Sequence, residues 1–313
     1  MSALSRPEFH SEEAAFAHLE KVVWAGMPVC PHCGGVDRIT KVKANLAKRI
    51  REGLWRCGDC KRQFTVKVGT VFEHMRLPLH KALQAVYLMT CSKKGVSAHQ
   101  LHRILEITYK SAWFLAHRIR EAMRDGHLGE FGGNGGIVEV DETFIGNLKG
   151  AHRGRAYHHK MKVLALIDRD TGKARTMVID GVTAAHLMPI INANVAREAT
   201  IMTDEHWAYR PVASLYAGHG TTAHKRGIYV DHERPEVHSN TVEGYFSIFK
   251  RGMKGIYQHC GEQHLHRYLA EYEFRYNHRI ANGYNDADRS RMALHGIVGK
   301  RLTYARPDQQ PQA

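Results

Sequence analysis

The sequence predicts an α/β protein: a mixed sheet flanked by helices, preceded by a cysteine-rich β module and a short helical segment. Three observations predict it. Two C-x2-C pairs lie among short β-like runs in residues 30–72, and the apolar pattern is helical from Leu79 to about Met123. After the glycine-rich break DGHLGEFGGNGG (125–136), which reads as a linker, short apolar strands alternate with helices.

At 313 residues the chain is long enough for two or three domains, with a sizeable core in the largest. The formal net charge is +14 with a pI near 9.6, and 23 histidines add positive charge as pH falls. An excess of this size suits a polyanion, nucleic acid before an anionic membrane surface. No apolar run approaches the roughly 20 residues that span a bilayer. The N-terminus MSALSRPEFHSEEAAFAHLEK carries charges throughout and has no h-region. A cytoplasmic, nucleoid-associated protein is therefore expected, not a membrane or secreted one. The first helix should begin at Ser11 with Glu12 and Glu13, since Phe16, Leu19, Val22 and Val23 recur at helical spacing.

Six cysteines fall as two close pairs, Cys30/Cys33 and Cys57/Cys60, plus the singles Cys91 and Cys260. Without an export signal, paired cysteines read as metal ligands before they read as disulfides. Each C-x2-C knuckle presents two sulfurs on one side of a tight turn, and four thiolates complete a tetrahedral zinc site. Gly34-Gly35 and Gly58 supply permissive backbone, and Ile39–Val42, Leu54–Arg56 and Gln63–Val66 can pair as strands. This is a zinc-ribbon pattern, and the zinc it implies is structural because no coordination position stays open. A redox C-x-x-C is the competing reading.

Residues 79–91, 97–105 and 108–124 read as three helices joined by short turns. In the third, Ala112, Leu115, Ala116, Ile119 and Met123 form one apolar face, and Thr108 is its N-cap. Lys110, His117, Arg118, Arg120 and Arg124 would make the basic surface. A helix-turn-helix places such a third helix in the major groove, with residues near its N-terminus, here Tyr109, Lys110 and Ser111, at base edges. The bland reading is a packing module whose basic face is merely solvated.

Beyond the break, Gly136–Asp141, Met161–Asp168 and Ala174–Asp180 read as strands, with Arg169–Lys173 as a hairpin turn. A helix over 184–198, a strand Thr200–Thr203 ending at Asp204 and a short strand near Thr221–Ala223 follow. Helices then start near Asn240 and Glu262. Three acids thus stand far apart in sequence but at strand or helix ends: Asp141, Asp204 and Glu243. Glu139 shares a face with Asp141 and Glu142 points the other way. Glu243 and Lys250, seven apart, differ by only about 20° around a helix. Singly these acids have ordinary explanations, a turn former at a strand end or, for Asn240-x-x-Glu243, a capping box. Together they are costly to bury unless cations compensate. Two Mg2+ (or Mn2+) ions would do so while keeping positions for phosphate and water.

The expected organisation is an N-terminal helix (1–29), the zinc ribbon (30–72), the helix-turn-helix domain (76–125), the linker (126–136), a sheet domain (137–290) and a tail (291–313) ending in the polar YARPDQQPQA, expected to be disordered.

The stretches C-P-H-C…W-R-C-G-D-C-K-R-Q-F-T-V, V-E-V-D-E-T-F-I-G, I-M-T-D-E-H-W-A-Y and H-S-N-T-V-E-G-Y-F-S-I-F-K-R-G, continued by R-Y-L-A-E-Y-E-F-R-Y-N-H-R, resemble the DDE transposases of bacterial insertion sequences. The group they resemble most is the zinc-ribbon type related to the Merlin transposons. The resemblance covers about residues 16–280. It implies an RNase H-like catalytic domain, a DDE triad on Asp141, Asp204 and Glu243, and a downstream basic residue at Lys250. It also implies a function. The ribbon and the helix-turn-helix, with Tyr109, Lys110, Ser111 and Arg118, would bind terminal inverted repeats in double-stranded DNA. With two Mg2+ ions, water would free a 3′-OH at the element's end, and that hydroxyl would attack target DNA. Asn240 and His238 would be DNA-contacting or supporting groups, and 147–155 either a strand-binding element or an ordinary solvated loop. A homodimer or higher multimer on DNA is expected. A transposase-derived DNA-binding regulator and an RNase H-like nuclease or resolvase are the alternatives.

Overall fold

In the computed structural model, which describes residues 2–126, 128–151, 157–222 and 234–303, the chain divides into two units: 1–124 with 284–313, and 125–283. The first unit begins with α1 (Glu12–Trp24), whose N-cap Ser11 accepts the Ala14 N–H at 3.3 Å, with Glu12 and Glu13 in the first turn. Three short strands follow, β1 (Ile39–Lys41), β2 (Trp55–Cys57) and β3 (Gln63–Phe64), paired antiparallel in that order. Trp24 packs edge-on against Trp55 and Phe64, with ring centroids 5.8 and 6.0 Å away. Glu20 accepts from Trp55 Nε1 at 2.7 Å and from Lys41 Nζ at 3.0 Å. The helix and the ribbon therefore share one small core, and the expected boundary at residue 29 does not separate them.

Next come α2 (Leu79–Cys91), α3 (Ala98–Leu105) and α4 (Tyr109–Met123). Ser97 and Gln100 form a capping box at α3, and Thr108 accepts the Ser111 N–H at 3.2 Å at α4. Pro78 gives α2 no side-chain cap; Glu12 does, accepting the Leu79 and His80 N–H groups at 2.8 and 3.2 Å. Leu83, Val86, Met89, Leu101, Leu115 and Ile119 fill the interior between the helices.

The second unit is built on β4 (Ile137–Ile145), β5 (Met161–Asp168), β6 (Lys173–Ile179), α5 (Ala184–Asn194), β7 (Thr200–Asp204), α6 (Val212–Leu215), β8 (Gly218–Thr222), α7 (Asn240–Gly252) and α8 (Leu265–Asn277). The sheet order is β6-β5-β4-β7-β8. The first three strands are antiparallel, while β7 runs parallel to β4 and β8 parallel to β7. The period of two sorts the side chains onto two faces. Val138, Val140, Leu164 and Leu166 pack with Leu187 and Ile191 of α5. Val163, Ala165 and Ile167 pack with Val242, Phe246 and Phe249 of α7 and Leu265 and Leu269 of α8.

Three expectations change. β4 does not stop at Asp141: its antiparallel pairing with β5 continues to Ile145↔Met161. What ends near Asp141 is the parallel partner, whose pairing with β4 reaches Glu139↔Met202. The last strand lies at Gly218–Thr222, and Ala223 falls outside the described residues. The third concerns α9 (Asp286–His295), started by an Asn285/Asp288 capping box, which belongs to the first unit and packs on α1, α2 and α4. Arg289 Nε donates to the Thr90 carbonyl at 3.0 Å, and Val71 N–H to that of Ile297 at 3.1 Å. The bounds 137–290 and 291–313 therefore cut across the fold. The end of the tail, 304–313, lies outside the described residues.

Candidate active site and metal centre

In the first unit the two knuckles close on each other. Cys30 Sγ lies 3.7 Å from Cys60 Sγ, and Cys33 Sγ 3.7 Å from Cys57 Sγ, with all four sulfurs within 4.8 Å of one another. A zinc tetrahedron with bonds of about 2.3 Å has edges of roughly 3.8 Å, so the spacing fits zinc. Gly34 turns the first knuckle with φ +76°, and at Gly58 a Cβ would sit 3.0 Å from the Arg38 carbonyl that its N–H bonds at 2.6 Å. His32 is exposed and outside the cluster. Among the described residues this is the one group of three or more such ligands gathered so closely.

In the second unit, sheet register builds the acid site. The parallel pairs Ile137↔Thr200, Val138↔Ile201 and Glu139↔Met202, carried two residues on, bring Asp141 level with Asp204 at the end of β7. Asp204 Oδ1 accepts the His206 N–H at 3.0 Å, which turns the chain away from the sheet. Glu243 sits in the first turn of α7 and accepts from Ser239 Oγ at 3.2 Å. That helix starts after Ser239 with no side-chain cap, so the Asn240/Glu243 capping box does not form. Val242, Tyr245, Phe246 and Phe249 are the buried stripe that seats α7 on the sheet.

The charges of the cluster meet at Asp141. Burial, then the charges of Glu142 and Asp204 and, more weakly, Glu243, push its carboxyl up to about 8. Burial lowers the Lys250 ammonium, and the Asp141 charge opposes that fall. The structure thus brings Asp141, Asp204, Glu243 and Lys250 into one neighbourhood, and it adds a fourth acid. Glu142, on the opposite face of β4, accepts the hydroxyl of buried Tyr209 and has His206 Nδ1 at 3.9 Å from Oε1. Its carboxyl is raised, first by burial. Sequence reasoning missed Tyr209; the signal available was its place in D-E-H-W-A-Y.

The expected DNA-facing residues fare unequally. Tyr109 and Lys110 are exposed at the start of α4, with Tyr109 stacked 4.4 Å from His99. The Ser111 N–H and hydroxyl both engage the N-cap Thr108. Asn240 is exposed at the first residue of α7. Arg118 is not a surface residue: its Nη1 donates to the carbonyls of Val71 and Glu73 at 2.7 and 2.9 Å, under the ring of Phe114. His117 and Arg120 are buried as well. The helix is polar there because a loop needs the guanidinium, not because solvent wets it. Of the loop 147–155, residues 152–155 lie outside the described residues. No helix among the described residues is long and apolar enough to cross a membrane.

Two protein families match this chain. The model of the transposase zinc-ribbon domain matches residues 10–63, which takes in α1 as the packing does, and that of the ISXO2-like transposase domain matches 134–277. The uncharacterized protein in transposable element ISH50 of Halobacterium salinarum is 27% identical over 290 residues, 85% of this chain and 91% of that protein. A solved simian T-cell lymphotropic virus intasome in complex with PP2A regulatory subunit B56 gamma aligns over 74% of this chain and 78% of that one at 16% identity. The TM-score of that alignment is 0.31. With a transposase zinc ribbon matched at its start and the ISXO2-like domain matched over its sheet, the chain belongs to the insertion-sequence DDE transposases of the zinc-ribbon type.

Proposed function

We propose that the chain binds the terminal inverted repeats of its element and carries out DNA cleavage and strand transfer at one acid site. The observation that carries this reading is the convergence on Asp141 of Asp204 from the neighbouring parallel strand and of Glu243 and Lys250 from α7. The strand order, antiparallel for β4 to β6 and then parallel, with helices on both faces, supports an RNase H-like fold for the second unit. The helices α2 to α4 are read as a helix-turn-helix, with Tyr109 and Lys110 toward the bases and Asn240 as a separate contact. The DNA is double-stranded, and the protein works on it as a homodimer or larger multimer with the nucleoid.

Crowded carboxylates that hold one of their number up to about 8 are a donor set that hard divalent cations fit. Asp141, Asp204 and Glu243 would hold two Mg2+ or Mn2+ ions. When bound, such ions stabilise the attacking and leaving oxygens of an in-line displacement. Lys250, on the same face of α7 as Glu243, neutralises a phosphate. Tyr209 keeps Glu142 hydrogen-bonded on the far face of β4. Hydrolysis of one phosphodiester at the element's end frees a 3′-OH, and that hydroxyl attacks the phosphorus of a target phosphodiester, with the target strand's 3′-oxygen leaving as a new 3′-OH. Each P–O bond formed replaces one broken, so no covalent protein–DNA intermediate is needed.

The test is a strand-transfer assay with purified protein, Mg2+ and a labelled end of the parent element, with Asp204→Asn as control. Joined products that vanish in the variant support the reading. Cutting without joining favours the nuclease, and end binding without cleavage in Mg2+ or Mn2+ favours the regulator.

A further inference from the structure

We propose that Glu139 and Arg169 are positioning residues for the acid site, a buried clamp that fixes the first turn of α7, and with it Glu243, against the strand that carries Asp141. The proposal rests on the reading of Asp141, Asp204 and Glu243 as a divalent-cation site. Glu139 is 0% exposed, and a carboxylate so buried is costly unless it is paired and hydrogen-bonded. It has both kinds of partner. Oε1 accepts from Arg169 Nε at 2.6 Å, and Oε2 accepts the Val242 N–H at 2.8 Å.

The second bond is the informative one. The first turn of a helix leaves N–H groups that need an acceptor, and its positive end favours a carboxylate. The N-cap Ser239 does not supply that acceptor; its hydroxyl points to Glu243 instead. The acceptor comes from β4, two residues before Asp141 and on the same face of the strand. A single hydrogen bond therefore relates the two halves of the site, one strand repeat from Asp141 on one side and one residue from Glu243 on the other.

Arg169 extends the clamp backward. It follows β5, its own N–H bonds the Ile137 carbonyl at 2.9 Å, and its guanidinium donates to the carbonyls of Glu236 and His238, both at 2.6 Å. It also donates to His238 Nδ1 at 2.8 Å, so that nitrogen accepts and the 3.3 Å approach of His238 to Glu139 is a contact without a proton between them. The planar fork thus holds the segment that leads into α7 at three atoms, which a lysine could not do. Groups that orient metal ligands from behind are typically worth about 10- to 100-fold in metal affinity.

The test compares Glu139→Gln, Arg169→Lys and Asp204→Asn in the full chain by Mn2+ titration calorimetry, hydrogen exchange at the Val242 amide, thermal midpoint and binding to the element's end. Glu139→Gln should stay folded and bind DNA ends as before, yet lose about tenfold or more in Mn2+ affinity with faster exchange at Val242. Arg169→Lys, which keeps the charge and loses the fork, should shift both readouts the same way, and it carries the test alone if Glu139→Gln does not fold. A folded variant that exchanges faster at Val242 but binds Mn2+ as tightly as the unaltered protein would overturn the clamp and leave Glu139 a helix cap only. Asp204→Asn is the separate control: if it leaves Mn2+ affinity unchanged, the cation-site reading itself has failed, whatever Glu139→Gln does.

Discussion

The hydroxyl of Tyr209 donates to Oε2 of Glu142, the residue after Asp141, across 67 positions of sequence. Both groups are shielded, and burial and the neighbouring acid charges raise the Tyr209 phenol well above its ordinary range, so it stays a donor at any working pH. Tyr209→Phe removes the donor and leaves Glu142 facing an apolar edge. The expected loss is on the order of 1–3 kcal/mol of stability, measured as the shift in urea midpoint at constant m-value. Cleavage should fall as well, because the Glu142 charge then acts on Asp141 without its partner. An unchanged midpoint would mean that another group replaces the phenol.

The zinc module makes a second prediction. Four sulfurs within 4.8 Å, packed under Phe64, Trp24 and Trp55, form a core too small to stand without its ion. The purified protein should carry one Zn2+ per chain, released by a strong chelator. Chelation should loosen residues 30–64 in hydrogen exchange and leave the sheet unit protected. Cys57→Ser should give a metal-free ribbon and lose end binding while folding of residues 137–277 persists. Retained protection of Trp55 and Phe64 after complete zinc loss would sink the structural role.

Much of this architecture was legible because its signals are local. Ser11 and Thr108 stand where helix caps must, and Met161–Asp168 is an apolar run of strand length closed by a turn. The spacing of the four cysteines alone announced a tetrahedral cluster, and the acids marked the edge of an apolar sheet. What escaped is nonlocal. Asp141-Glu142 looked like a strand end because two charges interrupt the apolar run, yet pairing with β5 carries the strand through them. Glu139 and Val242 meet only when the sheet and α7 are packed, 103 residues apart. The helix α9, begun by the Asn285/Asp288 box, was not read from the sequence, and its return to the first unit depends on tertiary fit.

Arg118 and Lys110 allow support of the fold to be tested apart from the proposed contact with DNA on one helix. Arg118 satisfies the Val71 and Glu73 carbonyls from a buried position, and charged hydrogen bonds of this kind are worth about 1.5–3 kcal/mol each. Arg118→Ala should lower the thermal midpoint by several degrees and reduce DNA binding only in proportion to unfolding. Lys110 is exposed in the first turn of the same helix. Lys110→Ala should leave the midpoint in place, weaken end binding and lower the slope of log K against log salt by about one. The reverse pattern would return Arg118 to the DNA face.

Glu273 on α8 adds its own pH dependence to the sheet unit, apart from the acids around Asp141. Burial pushes its carboxyl up to about 7 even though the Thr176 N–H and hydroxyl, at 2.8 and 3.1 Å, and the nearby Arg175 charge all favour the ionised form. Because the folded-state value lies above the ordinary 4.5, the folded chain holds this proton longer than the unfolded one. Its contribution to stability is complete below pH 4.5 and is lost as pH rises through about 7. Glu273→Gln keeps an acceptor for Thr176 and cannot ionise. Relative to the unaltered protein, the variant should gain little at pH 5 and on the order of 2 kcal/mol at pH 8. Urea unfolding followed by circular dichroism at both pH values reads the difference. A gain that is the same at pH 5 and pH 8 would show that Glu273 is already ionised at the lower value and that Arg175 and Thr176 outweigh its burial.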